Sequence, residues 1–403
     1  MRTSTGLSQS LPGHSVSLRR RILTAAVAAL AAAVALPSFA ADPVKIGLIL
    51  PLTGPFASTG KQIEAACRLY MKQNGDTVAG RKVELIVKDD TGLAPETTKR
   101  IAQDLVVNEK VQFLAGFGLT PLALATAPIA TESKTPMIVM AAATSIITTK
   151  SPYIVRTGFT LPQVTWPIAE WAAKNRIKNV VTLVTDYGPG LDAEKTFVKR
   201  FTEAGGKVLE SLRVPLRNPD YGPFLQRAKD ARPDALFVFV PSGEGTAVMK
   251  EFNDRGLKAA GVQMIGTGDV VDDDLLESMG PVALGVVTSF HYSAAHDSPE
   301  NKAYVDAFMK ANGFRPNFHS LGGYDGMHLI YEAVKKAGPD ADGDKLVEAM
   351  KGMQWVSPRG PMTIDPATRD PIQNVYVRKV EMVNGKPWSI EFEKFENVKD
   401  PGA

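Results

Sequence analysis

Cysteine is almost absent from this chain. Cys67 is the single cysteine among 403 residues, so no intramolecular disulfide can form. It falls inside a predicted helix, where a lone thiol is most often a small buried hydrophobic residue. Its distance from the N-terminus also excludes a lipid-modified cysteine at the start of a mature lipoprotein.

Acidic residues are missing from residues 1–40, where an apolar run from Ile22 to Leu36 follows three consecutive arginines. This pattern is typical of a signal peptide. The run has about 15 residues, mostly alanine, and is too short to span a bilayer. Pro37 and the small residues up to Ala40 predict cleavage after Ala40, by general secretion rather than the twin-arginine route. We therefore expect a periplasmic mature chain with no integral membrane segment.

A large net charge is also lacking. The whole chain has 46 basic and 43 acidic residues, but four of the basic residues are arginines within residues 1–40. The mature chain then has 42 basic and 43 acidic residues and a formal charge of −1. A near-neutral chain has no global attraction for nucleic acid or anionic lipid. We expect neither as a partner.

Catalytic and cofactor motifs are missing. The sequence has no Walker A motif, no His-Glu-x-x-His and no Gly-x-Ser-x-Gly, and Pro121 stands where a dinucleotide fingerprint beginning at Gly116 needs its third glycine. The spacing of the histidines at 291, 296, 319 and 328 matches no helical pair of metal ligands. We therefore predict a protein that is not an enzyme and has neither cofactor nor metal.

Apolar runs of strand length alternate with longer amphipathic segments from Val44 onward. Strands that are apolar along their length and separated by helices are typical of parallel sheets covered on both faces. About 360 mature residues exceed what one core usually organises. The two sets of runs, at 44–141 and 180–266, predict an α/β fold with two doubly wound parallel-sheet lobes. A terminal hairpin is predicted through Asn384-Gly385.

The opening segment KIGLILPLTGPFASTG, residues 45–60, is followed by shorter motifs along nearly the whole mature chain. These include Asp89-Asp90, Arg156-Thr157, Asp186–Gly190 and Tyr324–Gly326. In order and spacing they resemble the leucine/isoleucine/valine-binding proteins, the substrate-binding subunits of ATP-driven importers. The resemblance implies a type I periplasmic binding fold, a Venus flytrap whose lobes are joined by three crossovers.

The lobe boundaries follow from the same resemblance. Residues 1–40 are the signal peptide, residues 41–156 with 291–352 form lobe 1, and residues 157–290 with 353–403 form lobe 2.

The resemblance also implies a carboxylate site beyond the strands of lobe 1. Its residues would be Leu119, Thr120, Ala142 and Thr144, which offer backbone N–H groups or hydroxyls. Loops at the carboxyl ends of parallel strands lead into helix N-termini, which attract anions. Many relatives have a hydroxyl where this chain has Leu119, and helix capping is the alternative role for both threonines.

Lobe 2 contributes two expected contacts. Tyr187 matches an aromatic residue that closes over the ligand, although it could be a turn residue stacked on its own loop. Asp269 lies near the position of an acid that meets a ligand ammonium, but the alignment could place Gly268 there and leave Asp269 solvated. Trp166 could line the cleft or be a packing residue.

The implied function is that of a periplasmic solute-binding subunit of an ABC importer. The expected ligand is a branched-chain amino acid or a related small carboxylate, the expected partners are membrane permease subunits, and we expect a monomer. Two alternatives remain open: an aromatic-acid-binding transport protein of the same fold, and a ligand-binding sensor subunit of a signalling receptor.

Overall fold

The computed structural model describes Met1 and residues 5–9, 42–338 and 340–402. The chain divides into two units, Met1–Asp42 and Pro43–Ala403, and every described strand and helix lies in the second. The arginines, apolar run and cleavage site of the predicted signal peptide lie outside the described residues. Within the described part of the chain, no helix is both long and apolar enough to cross a membrane.

The first sheet is parallel except at one edge. Its strands are β1 Val44–Leu50, β2 Thr77–Val78, β3 Arg81–Asp89, β4 Phe113–Gly116, β5 Met137–Val139 and β6 Ile154–Arg156. They run in the order β2-β3-β1-β4-β5-β6, with β2 antiparallel to β3. The connecting helices are α1 Ala57–Asn74, α2 Pro95–Val107 and α3 Thr120–Ser133. The β1 residues from Ile46 to Leu50 are nearly all fully buried, because helices cover both faces of the sheet.

The second sheet combines a parallel part with an antiparallel extension. Its parallel strands are β7 Asn179–Thr185, β8 Lys207–Val214, β9 Ala235–Phe239, β10 Gln263–Thr267 and β11 Val287–Phe290. Its antiparallel strands are β12 Gln354–Ser357, β13 Gly360–Ile364, β14 Pro371–Val383 and β15 Lys386–Val398. The main order is β12-β13-β14-β11-β10-β9-β7-β8, and β15 pairs with β14. The helices are α4 Leu161–Lys174, α5 Gly188–Glu203, α6 Gly222–Asp230, α7 Gly245–Asp254 and α8 Leu276–Met279.

The chain passes between the two sheets three times. It leaves the first sheet after β6, returns after β11, and enters the second sheet again before β12. The returning segment forms helices α9 Pro299–Asn312, α10 Phe318–Ala337 and α11 Gly343–Met350. Helices α9 and α10 pack on α1, and α11 packs on α10. We call the first sheet with α1–α3 and α9–α11 the first lobe, and the second sheet with α4–α8 the second lobe.

The sequence pattern predicted most of these elements and missed the edge of the second sheet. The terminal hairpin was predicted and is present, with Asn384 and Gly385 both at positive φ in its turn. Strands β12 and β13 and helix α11 were not predicted. Strand β12 is short and alternates between exposed and partly buried residues, so it lacks the apolar run that identifies the central strands.

A buried guanidinium lies where the crossings meet. Arg359, in the turn between β12 and β13, forms an ion pair with Asp325 of α10 and is about 1% exposed. It also donates to the carbonyl of Thr157 at 2.7 Å and to that of Gly158 at 3.1 Å. The first crossing also contacts the second, because the rings of Phe159 and His291 are stacked with centroids 4.8 Å apart. The first crossing is therefore connected to the second crossing and, through Arg359, to α10 and the β12–β13 turn.

Candidate functional site

A narrow cavity lies between the two lobes. The first lobe contributes loops that follow β1, β4 and β5, and the second contributes loops that follow β7, β9 and β10. The carboxyl ends of parallel strands from both sheets therefore face the same space. This is where ligands bind in open α/β sheets.

The start of α3 forms the polar part of the first-lobe wall. Leu119 is the N-cap residue, Thr120 occupies the first helical position, and both line the cavity with Gly118. The first N–H groups of a helix have no acceptor within the helix and form the positive end of its dipole. Ala142, after β5, lines the same cavity. This wall can accept an anion without a basic side chain.

The two predicted threonines meet directly. The hydroxyl oxygens of Thr120 and Thr144 are 2.8 Å apart, and both side chains are buried. Thr120 lines the cavity, whereas Thr144 lies behind it and is not part of the cavity wall. Neither threonine uses its side chain to cap a helix. Thr144 is therefore placed to orient the Thr120 hydroxyl.

Thr144 also contacts the second lobe. A Cβ atom at Gly188, the first residue of α5, would lie 2.8 Å from the Thr144 hydroxyl oxygen. The Thr144 carbonyl accepts a 2.8 Å hydrogen bond from Arg156, which forms a buried ion pair with Asp370. Glycine at position 188 allows the two lobes to approach closely beside Thr120 and Thr144.

Aromatic rings form much of the remaining wall. Tyr187, at the N-cap of α5, stacks on Phe239 with centroids 6.2 Å apart and an interplanar angle of 22°. Both rings line the cavity from the second lobe. Phe56 of the first lobe and Phe159 of the first crossing complete an apolar enclosure. Burial raises the pKa of Tyr187 well above its ordinary value, so its hydroxyl stays neutral.

Asp269 is buried and lines the cavity from the second lobe. It follows β10, and its carboxylate accepts a 2.9 Å hydrogen bond from the Thr267 hydroxyl. Burial raises the pKa of this carboxyl group to about 7, against an ordinary value of 3.8. Asp269 is therefore not a solvent-exposed loop residue.

Two polar residues on the cavity wall were not predicted from the sequence. Ser242, after β9, donates its hydroxyl to the carboxylate of Asp272. His319, at the start of α10, is about 6% exposed, and burial lowers its pKa to about 3. The sequence signal for the start of α10 is Asn317, a residue type that favours helix N-caps. Its side chain accepts a hydrogen bond from the His319 N–H. Nothing in the sequence indicates that a segment so far from β4 and β5 faces the same cavity.

The lobes also contact each other outside the cavity. Asp274 of the second lobe accepts hydrogen bonds from Ser58 at 2.8 Å and from Asn317 at 2.9 Å, both in the first lobe. Arg217 of the second lobe donates to the carbonyl of Leu93 at 2.6 Å. These bonds hold the cleft closed in this structure.

The other residues considered from the sequence lie away from the cavity. Trp166 packs on the ring of Phe395 and does not line the cavity, so it is a packing residue. Cys67 is buried and free, and burial raises the pKa of its thiol well above the ordinary range. Within the described segments, no cluster of three or more histidine, cysteine, aspartate or glutamate residues has the arrangement of a metal site.

A family model described as "Periplasmic binding protein" matches residues 43–386. The "Leu/Ile/Val-binding protein homolog 6" of Brucella abortus (strain 2308) is 47% identical over 366 residues, which cover 90% of this chain and 94% of the relative. Its name places this chain beside the leucine/isoleucine/valine-binding proteins that the sequence motifs resemble.

Two crystal structures of solute-binding proteins of ABC transporters from Rhodopseudomonas palustris are similar in fold. The protein from strain BisB5, in complex with 3,4-dihydroxybenzoic acid, is 60% identical with a TM-score of 0.88. The protein from strain HaA2, in complex with p-hydroxybenzoic acid, is 44% identical with a TM-score of 0.87. Each comparison covers 89% of this chain and 99% of the other.

Proposed function

This chain belongs to the periplasmic binding protein family, and we propose that it captures an aromatic carboxylate for an ATP-driven importer. One observation carries the choice of ligand: the cavity combines several aromatic rings with the start of a helix. Phe159, Tyr187 and Phe239 can enclose a planar ring, while the N–H groups and hydroxyl at Leu119 and Thr120 can bind a carboxylate. The ligands of the Rhodopseudomonas palustris proteins, which share this fold, support the same class.

A branched-chain amino acid is the second candidate. The name of the Brucella abortus relative favours it, and Asp269 is the carboxyl group on the cavity wall that would pair with an ammonium. Such a pair requires Asp269 to be ionised in a buried position. Burial opposes this, since it raises the pKa of Asp269 to about 7. An aromatic acid has no ammonium and requires no such charge.

Each predicted site residue receives a role in this proposal. The backbone at Leu119 and Ala142 and the hydroxyl of Thr120 bind the carboxylate. Thr144 orients Thr120 from behind, and Tyr187 covers the ring. Asp269, which is partly protonated at neutral pH, faces the end of the ligand away from the carboxylate.

Capture and release depend on the hinge between the lobes. We take residues 41–156 with 291–352 and residues 157–290 with 353–403 as the moving bodies. Ligand binding favours the closed arrangement, which offers a distinct surface to the membrane permease subunits. The protein acts as a monomer in the periplasm, is cleaved after Ala40, and binds its solute without catalysing a reaction. Intact-mass measurement of exported protein tests the cleavage site.

The ligand class can be tested by calorimetric titration. The exported protein is unfolded, dialysed and refolded to remove any solute that it carried. It is then titrated separately with benzoate, 4-hydroxybenzoate and L-leucine. We expect saturable binding of the aromatic acids and no heat of binding from leucine. Binding of leucine without binding of either aromatic acid would overturn the proposal in favour of the amino-acid function.

A further inference from the structure

His319 is a polar group on the cavity wall without an evident partner in the protein. Its side chain is almost completely buried, and its Nδ1 atom has no hydrogen-bond partner among the described residues. Burial lowers its pKa to about 3, so the imidazole is neutral and carries one N–H donor and one acceptor nitrogen. Buried polar atoms in folded proteins are nearly always hydrogen-bonded, so this exception requires an explanation.

The ring of His319 is held firmly in place. Its backbone N–H donates to the side chain of Asn317 at 2.9 Å, and its ring packs against Phe318 with centroids 4.0 Å apart. The backbone N–H of Asn317 in turn donates to Gln62 at 3.2 Å. These contacts fix the start of α10 against α1. His319 is therefore a fixed part of the cavity wall.

Asp269 faces the same cavity from the other lobe. One carboxyl oxygen accepts from Thr267, and at neutral pH much of the carboxyl group carries a proton, which it can donate. A buried neutral imidazole and a buried, partly protonated carboxyl group thus line one cavity. Together they offer hydrogen-bond donors and acceptors. This chemistry fits a hydroxyl group, which both donates and accepts.

We propose that His319, together with Asp269, recognises a ring hydroxyl of the ligand, so that the protein selects hydroxylated aromatic carboxylates over unsubstituted benzoate. This inference rests on the proposed binding of aromatic carboxylates and adds a specificity-determining residue to that site. The ligand carboxylate lies at the start of α3, and the ring hydroxyl bonds to the imidazole of His319, which lines the same cavity. A site built to bind a hydroxyl rejects an analogue that lacks it, because its own polar groups are then left unpaired.

Calorimetric titrations of three variants with benzoate and 4-hydroxybenzoate test the inference. His319→Leu removes both ring nitrogens, His319→Gln keeps a donor and an acceptor, and His328→Gln changes a histidine outside the cavity as the matched control. We expect the wild type to bind 4-hydroxybenzoate at least about tenfold more tightly than benzoate. His319→Leu should abolish this preference by weakening 4-hydroxybenzoate binding, and benzoate should bind at least as tightly as to the wild type, because residue 319 then has no polar group to leave unpaired. His319→Gln should retain part of the preference, and His328→Gln all of it.

The outcomes separate this inference from the proposed function. Failure of the wild type to bind any aromatic acid would overturn both. An equal loss of benzoate and 4-hydroxybenzoate binding in His319→Leu would overturn only the hydroxyl role, since His319 would then serve the carboxylate or the fold. Unchanged preference in His319→Leu would also overturn it. Thermal unfolding of each variant without ligand verifies that it is folded.

Discussion

Ser58 and Asp274 form a 2.8 Å hydrogen bond that joins the first lobe to the second. The other oxygen of the same carboxylate accepts from Asn317, again in the first lobe. Asp274 therefore takes two bonds that exist only while the lobes are in contact. Such bonds stabilise the closed state relative to the open state and so contribute to ligand affinity.

Replacing Ser58 by alanine is expected to favour the open state. When the variant closes, it forms one hydrogen bond fewer than wild type. That bond contributes about 1 kcal/mol, so ligand affinity should fall about fivefold. Calorimetric titration of Ser58→Ala with 4-hydroxybenzoate measures this loss. Ser278→Ala is the control, since the Ser278 hydroxyl bonds to Leu275 within the second lobe. Wild-type affinity in Ser58→Ala would contradict this role.

The two threonines at the carboxylate end should differ in their effects. Thr120→Val removes a hydroxyl from the cavity wall, and a hydrogen bond to a charged group contributes about 1.5–3 kcal/mol. Affinity for an aromatic carboxylate should fall at least about tenfold. Thr144→Val removes only the neutral bond behind it, so the loss should be about two- to tenfold. A larger loss from Thr144→Val would place the carboxylate on Thr144 instead.

Gly188→Ala should obstruct the approach of the lobes. The added methyl group would lie 2.8 Å from the Thr144 hydroxyl oxygen, closer than unbonded atoms normally come. We expect at least about a tenfold loss of affinity, since overpacking typically costs about 1–3 kcal/mol. Thr144→Ala should be less harmful in the Gly188→Ala background than in wild type, because it removes the obstructing atom. Additive effects of the two substitutions would contradict this explanation.

The raised pKa of Asp269 predicts a specific dependence of stability on pH. Its folded-state pKa of about 7 exceeds the ordinary value of 3.8, so the folded state holds this proton more tightly than the unfolded state. The associated stability is present below pH 3.8 and is lost as the pH rises through 7. Asp269→Asn should remove this loss, which amounts to at most about 4 kcal/mol.

Urea unfolding at pH 4, 6 and 8 measures this effect. The free energy of unfolding of Asp269→Asn, relative to wild type, should increase with pH across that range. Asp230→Asn, at an exposed position on α6, is the control and should show no such trend. Comparison with wild type is needed because burial also raises the pKa of Asp273, to about 6. A constant difference between Asp269→Asn and wild type would contradict the prediction.

Removing the guanidinium at the crossings should be costly. Arg359→Met leaves Asp325 as a buried charge without its partner, and breaking a buried ion pair typically costs about 3–5 kcal/mol. Arg227→Met is the matched control, since Arg227 pairs with Glu210 on the surface, where such pairs contribute about 1 kcal/mol or less. Urea unfolding measures both. Equal losses in the two variants would show that burial of the pair does not matter.

Most of the fold could be predicted from local patterns. Strand β1 begins at Val44, where the sequence pattern places the first apolar run, because a buried parallel strand is apolar along its length. Strand β12 was missed because it lies at a sheet edge, where half-exposed residues such as Trp355 give no continuous apolar run. Local pattern thus identifies elements buried on both faces better than elements at an edge.

The site could be predicted only where a strand leads into it or a family motif covers it. Leu119, Thr120, Tyr187 and Asp269 follow strands of the two sheets, and the structure brings all four to one cavity. His319 reaches the same cavity from α10, which the chain forms only after crossing back to the first lobe. Its proximity is a product of tertiary packing and leaves no local trace in the sequence.

The stacking of Phe159 on His291 has a consequence for cargo size. Phe159 belongs to the first crossing, lines the cavity and rests on a ring in the second crossing, so a bound solute touches the joint about which the lobes turn. A ring substituent that presses on Phe159 would then limit how far the lobes can rotate. Solutes of increasing length should produce a graded series of closure angles, and each angle would expose a different surface of the protein. Uptake could therefore discriminate among solutes that the cavity binds equally well.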